Sequence, residues 1–227
     1  MKREHTDRKY AAELQDLRER ILLMAGRVEQ MINQAVESVV TRDIDLARRT
    51  IQQDSKVNRD EIETDELCLL ILAKWQPMAT DLRFITQALK MVTDMERIGD
   101  LAVNICERAI DLGIDPPLKP FIDVPRMAEI AESMIRDAVD AFVEGDADKA
   151  QDVIDRDDEV DELYRKVFDE LVKIMREDES KVERGIQVQA VAKLLERMAD
   201  HCTNLAEQVI FLVRGEDVRH VGKLGKQ

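Results

Sequence analysis

Early in the chain, apolar residues recur at Leu14, Leu17, Ile21, Met24, Val28, Met31 and Ala35. The steps alternate between three and four, the spacing of a bundle or coiled-coil seam, and predict a helix over 8–41. A second helical pattern opens at Asp43, whose carboxylate suits an N-cap, and runs to 75, where Gln76-Pro77 interrupts it. The third starts near Thr80 or Asp81, either of which can cap it. Its seam is Phe84, Ala88, Met91, Met95, Ile98, Ala102, Ile105, Ala109 and Leu112. Gly113 then supplies a C-terminal cap.

Four of the five prolines, Pro116, Pro117, Pro120 and Pro125, follow within ten residues and read as a stiff, non-helical connector over 116–125. Helices are predicted beyond it over 124–144, 148–176 and 180–214, with a turn at Gly145-Asp146. The last seam is Val188, Val191, Leu195, Met198, Cys202, Leu205, Val209 and Leu212. Residues 216–227 read as a frayed tail.

The two halves are copies. A shift of 100 residues lays Glu96-Arg97-Ile98-Gly99-Asp100, with Asn104 and Glu107, over Glu196-Arg197-Met198-Ala199-Asp200, with Asn204 and Glu207. A shift of 103 lays Ile51, Asp54 and Val57 over Ile154, Asp157 and Val160. The three-residue difference predicts a shorter turn between the second and third helices of the later half. An all-α fold of two tandem, pseudo-symmetric three-helix bundles follows, with repeats over 1–115 and 126–215.

The repeated phrase puts two acids one helical turn apart, and such pairs repel. At ~100° per residue, Glu96, Asp100, Asn104 and Glu107 lie roughly 130–210° from the seam of their helix, so both acid rows are expected to face away from their own core. A solvated face explains one such row. Three further features point to a cation: the row is duplicated, each copy ends its acid pair with Asn instead of Lys or Arg, and each preceding helix offers a second pair. Those pairs are Asp54/Asn58 and Asp157/Asp161. Two facing pairs of oxygen ligands would suit Mg²⁺, Mn²⁺, Fe or Zn²⁺, and Asn58 makes the earlier site electrostatically weaker.

A formal net charge of -14 argues against nucleic acid or an anionic lipid surface as the main partner. The longest apolar run, 67–73, is too short to span a bilayer. Residues 1–10 are charged and lead into no secretory apolar region, and three cysteines form no even framework, so a reducing cytoplasm is expected, with membranes reached only through partners. No P-loop, Rossmann fingerprint, nucleophile elbow or Glu-x-x-His pair occurs. Cys68, Cys106 and Cys202 read as packing residues. His201 reads as a bundle-edge residue or an extra ligand, and Arg97 and Arg197 as holders of the neighbouring acids, partner contacts or surface ion pairs. These features describe a protein without catalytic machinery.

Four phrases resemble the PhoU family in its order: Gln76-Pro77-Met78-Ala79-Thr80-Asp81-Leu82-Arg83, Met95-Glu96-Arg97-Ile98-Gly99-Asp100, Val160-Asp161-Glu162-Leu163-Tyr164 and Leu195-Glu196-Arg197-Met198-Ala199-Asp200. The resemblance implies two pseudo-symmetric three-helix bundles, often forming a homodimer. It also implies metal ions, divalent or trivalent and single or multinuclear, held on the bundle surface by Glu96/Asp100, Glu196/Asp200 and Asp157/Asp161, with Asp54/Asn58 as the departing fourth pair. Asn104, Asn204, Glu107 and Glu207 are further ligand candidates, and Arg83, Arg97 and Arg197 candidates for partner binding. The role implied is negative regulation of the phosphate-starvation response and phosphate uptake, linking the phosphate transporter's ATPase subunit to a sensor histidine kinase. Alternatives are an accessory protein of a phosphate permease, a metal-dependent phosphohydrolase, or a structural helical module whose acids only solvate.

Overall fold

The computed structural model describes residues 2–113, 118, 123–216 and 218, with backbone alone for 2–7. Among these residues six long helices carry the fold: α1 (Lys2–Thr41), α2 (Ile44–Trp75), α3 (Ala79–Leu112), α4 (Asp123–Glu144), α5 (Ala147–Glu177) and α6 (Val182–Arg214). Every residue of the three predicted seams is buried. The strict three-four spacing therefore reports real packing, because only a stripe of that period can keep facing the same neighbours along a helix.

Helix ends follow local chemistry where a side chain can cap. Asp43 accepts from Leu46 N at 2.8 Å, and Asp146 accepts from the amides of Asp148 and Lys149 at 3.0 Å each. The start of α3 differs from expectation, since neither Thr80 nor Asp81 caps it. Its N-cap is Met78 without a side-chain bond, while the Asp81 carboxylate accepts from Tyr10 Oη at 2.8 Å. A tertiary contact thus takes the carboxylate that local propensity assigned to the backbone. Gly113 closes α3, as predicted.

The later half does not have the shorter turn that the shift in register predicts. Residues 178–181 separate α5 from α6, against 76–78 between α2 and α3. Asp178 there accepts from Ser180 N at 3.0 Å and leads a 3₁₀ turn over Glu179–Lys181. The missing residues are absorbed by a later start of α6. Pro125 is also not part of a non-helical connector: it stands in the first turn of α4, where its missing N–H costs nothing. Pro116, Pro117 and Pro120 lie outside the described residues.

Each repeat is a three-helix bundle, and the two share a broad seam in which α3 packs on α6 and α1 on α4. Both contacts are antiparallel. On α3–α6, Arg83 Nε donates to Leu212 O at 3.2 Å near one end, and Arg108 Nη1 donates to Gln187 Oε1 at 3.2 Å near the other. On α1–α4, Arg136 donates two bonds to Glu29 at 3.0 and 2.7 Å. By contrast, among the described residues α2 packs on α1 and α3 alone, and α5 on α4, α6 and the short 3₁₀ turn, so the central seam leaves these two helices on the flanks.

Candidate functional site

The acids of α3 border the bundle core; they do not oppose it. Packing against α2 widens the buried arc of α3 on the flank that carries Ile85, Val92 and Gly99, and this brings the edge of the arc up to Glu96. The Glu96 side chain keeps only 18% of its exposure, and Asp100 keeps 43%. Gly99 faces α2, where a Cβ would stand 3.4 Å from Val57 Cγ1, an ordinary van der Waals contact, so alanine fits as well. The second repeat has Ala199 at this position and Val160 in place of Val57, both buried.

Across the groove, α2 presents Asp54, Asn58, Glu61 and Asp65. Burial, then the charges of Asp100 and Glu61, raises the pKa of Glu96 above the ordinary glutamate value. Asp54, Glu61 and Asp65 are raised as well, in each case chiefly by burial. Arg97 is the near cation, 3.7 Å from Glu96 and 3.8 Å from Asp100. Asn58 Nδ2 donates to Asp54 Oδ2 at 2.9 Å, which leaves Asp54 Oδ1 and Asn58 Oδ1 buried and unpartnered, along with Asp65 Oδ1. Such oxygens lack the donors that buried acceptors ordinarily find.

The second groove places Asp157 and Asp161 of α5 opposite Glu196 and Asp200 of α6. Burial, followed by the charges of Asp200 and Asp161, pushes Asp157 up to about 6. Asp200 is raised by burial and by Glu196. Here a lysine offsets part of the charge: Lys193 Nζ lies 2.6 Å from Glu196 and 5.3 Å from the ring centre of Tyr164, whose hydroxyl accepts from Gln189 at 2.9 Å. The equivalents of Tyr164 and Lys193 in the first repeat are Glu61 and Thr93.

Asn58 withholds the charge that Asp161 brings to the second groove, and the first groove carries other acids against that. Glu61 and Asp65 add two carboxylates that the second groove lacks. Their sequence signal was available: they continue the row from Asp54 and Asn58 at helical spacing, but without counterparts in the later repeat they stood outside the duplicated pattern.

The remaining candidates fall elsewhere. Glu107 is exposed and 4.0 Å from Arg108. Glu207 lines a small cleft with Gln87, Lys90, Gln208 and Phe211 on the α3–α6 seam. Asn104 is half-buried and Asn204 exposed. Arg83 bonds Leu212 O and Thr80 Oγ1, and Arg197 is exposed. His201 turns from Asp200 to Asp94 on α3, 3.0 Å away. The cysteines are buried, with Cys68 and Cys106 each pushed up to about 12 by burial, as packing residues should be.

As the side chains stand, no three His, Cys, Asp or Glu residues among those described converge closely enough to enclose an ion. The donor set nonetheless fits a hard cation: carboxylate and amide oxygens only, several of them buried and unpartnered in the first groove.

The PhoU domain model matches this chain twice, over residues 21–109 and 124–209, one match for each bundle. The chain belongs to the PhoU family. Among its PhoU relatives, a phosphate-specific transport system accessory protein PhoU homolog of Pseudomonas putida is 41% identical over 96% of this chain and 86% of that protein. The Escherichia coli (strain K12) phosphate-specific transport system accessory protein PhoU is 34% identical over 96% of this chain and 90% of its own length. The crystal structure of PhoU from Pseudomonas aeruginosa superposes with a TM-score of 0.85, at 40% identity, covering 91% of this chain and all of that one. PhoU from Streptococcus pneumoniae, described as a phosphate transport system regulatory protein, also gives 0.85, at 26% identity over 92% of this chain and 99% of its own. The PhoU fold is thus two three-helix repeats, as found here. No helix among the described residues is long and apolar enough to cross a membrane.

Proposed function

We propose that this chain is an accessory and regulatory protein of phosphate transport, acting in the cytoplasm without catalysis of its own. It links the ATPase subunit of a phosphate transporter to a sensor histidine kinase and represses the phosphate-starvation response. Full-length relatives that carry the transport-system accessory name support this reading. The single structural observation behind it is the pair of acid grooves, one per repeat, on the flanks of a fold whose cysteines are buried.

In this proposal the grooves hold divalent or trivalent cations. Asp54, Asn58, Glu96 and Asp100, with Glu61 adjoining, would bind in the first repeat. Asp157, Asp161, Glu196 and Asp200 would bind in the second. A bound cation supplies positive charge that relieves carboxylate repulsion and gives the surface a state that partners can read.

Deleting the gene in its host tests the regulatory role: phosphate-starvation genes should switch on in high phosphate, and a strain that keeps them repressed would remove the proposal. Elemental analysis after exhaustive dialysis tests the grooves. Glu96→Ala/Asp100→Ala and Glu196→Ala/Asp200→Ala should each lower bound metal, and unchanged content in both would overturn the cation reading while leaving the regulatory one standing.

A further inference from the structure

The outer face of α2 carries an apolar stripe that the fold does not use. The core side of this helix runs through Val57, Thr64, Cys68 and Ile71, all buried. Ile62, Leu69, Leu70 and Ala73 lie roughly 130–230° from that line. Ile62 is 58% exposed, Leu69 61% and Leu70 55%, and among the described residues α2 meets α1 and α3 alone. Single exposed leucines need no explanation, but Ile62, Leu69 and Leu70 share one helix face, with Glu66 between them, and such a grouping marks an interaction surface.

The charge around the stripe says what covers it. From 60 to 73 the helix has five acids, Asp60, Glu61, Glu63, Asp65 and Glu66, and no lysine or arginine. Asp60 pairs with Arg27, and Glu63 with Arg20 at 3.3 Å. Glu61 and Asp65 face the groove with α3, and Glu66, on the outer face, forms no ion pair among the described residues. The matching stretch of α5, 163–176, carries four cations, Arg165, Lys166, Lys173 and Arg176, against two acids, Asp169 and Glu170, with Arg165 in place of Ile62 and Lys173 in place of Leu70. The stripe is therefore a property of the first repeat and no by-product of the duplicated fold.

A second copy fits poorly. A two-fold axis through the middle of the stripe sets Glu66 against its own copy and Glu63 against Leu69, so an isologous contact meets like charge. A head-to-tail contact with α5 of another copy would bring opposite charge but cover the leucines with lysine and arginine.

We propose that this face of α2 docks a basic amphipathic helix of a different protein. Its apolar side would cover Ile62, Leu69 and Leu70, and its lysines or arginines would reach Glu63 and Glu66. The inference rests on α2 alone and is independent of the regulatory reading and of cation binding.

The test uses full-length protein and a fluorescein-labelled peptide of about 18 residues with leucines at helical spacing and lysines on the other face. Binding is read by fluorescence anisotropy at near-physiological salt. The peptide should bind, Leu69→Gln/Leu70→Gln should weaken it by about tenfold or more, and Val172→Gln/Lys173→Gln on α5 should leave it unchanged. A peptide with glutamates in place of lysines should not bind. Because the two leucines are exposed, circular dichroism should show the variant as folded as the parent. Absent binding, equal binding by the leucine variant, or self-association in sedimentation that this variant abolishes would overturn the proposal, the last by assigning the stripe to a contact between copies.

Discussion

Asp94 of α3 and His201 of α6 meet at 3.0 Å across the seam between the repeats, where Gln208 Nε2 also donates to Asp94 at 2.7 Å. The duplication assigns Leu194 and Leu101 to the equivalent pair of positions, so one end of the seam is polar and the other apolar. Removing one partner leaves half-buried polar groups unmatched. Asp94→Leu should cost about 1–3 kcal/mol, and adding His201→Leu should recover part of that loss by recreating the apolar pairing. Urea denaturation of both single variants and the double would show it; strictly additive losses would mean the two residues do not act together.

Phe142 of α4 is almost fully buried and stacks on Phe84 of α3, with ring centres 4.8 Å apart and planes 17° apart. The stack ties the second repeat to the first, and Arg18 lies 4.7 Å from the centre of the Phe84 ring. Phe142→Ala should lower stability by about 3–5 kcal/mol, and Phe142→Leu by much less. Guanidinium unfolding monitored by helicity would measure both, and a loss under about 1 kcal/mol for alanine would contradict the role given to the stack.

Asp157 gives the cation-free protein a pH dependence of definite sign. Its native pKa of about 6 lies above the ordinary 3.8, so the folded state holds the proton more tightly than the unfolded chain does. This group therefore stabilises the fold at low pH, and that contribution is lost as pH rises through about 6. Allowing for screening at a half-buried site, Asp157→Asn should gain about 1–2 kcal/mol at pH 7 and nothing below pH 4. Thermal melts in chelator at both pH values would check this, and a constant difference between the two proteins would rule it out.

Asn58→Asp would give the first groove the carboxylate that Asp161 supplies in the second. Without cation the variant should lose about 1 kcal/mol, because the bond from Asn58 to Asp54 disappears and a like charge replaces it. With Mn²⁺ added, its melting temperature should rise more than the parent's. Glu196→Ala/Asp200→Ala provides the background that isolates the first groove; equal Mn²⁺ shifts there would argue against a cation between these helices.

Six helices, the tandem repeat and the central stripes were legible in the sequence because periodic burial is a one-dimensional signal: Leu17, Met91 and Leu195 each sit where a three-four pattern demands. The membership of the acid rows was legible too, since duplication marks Glu96/Asp100 and Glu196/Asp200. Their orientation was not. A wheel drawn on one seam treats α3 as if it had a single buried side, whereas α2 packs on the flank that carries Gly99 and moves the edge of the core up to Glu96. Glu61 and Asp65 stayed hidden for another reason: Tyr164 and Phe168 stand at their places in the later repeat, so no duplication flags them.

What the sequence determined by itself is whatever depends on spacing along one helix or on identity between the halves: the fold class, the seams, the caps at Asp43 and Gly113, and the four acid pairs. What the tertiary structure alone decided depends on which helices become neighbours. That Asp81 serves Tyr10, that His201 turns to Asp94, that Asp157 faces Asp200, and that no described helix covers the stripe on α2 all follow from packing between segments distant in the chain, and no local pattern encodes such distances.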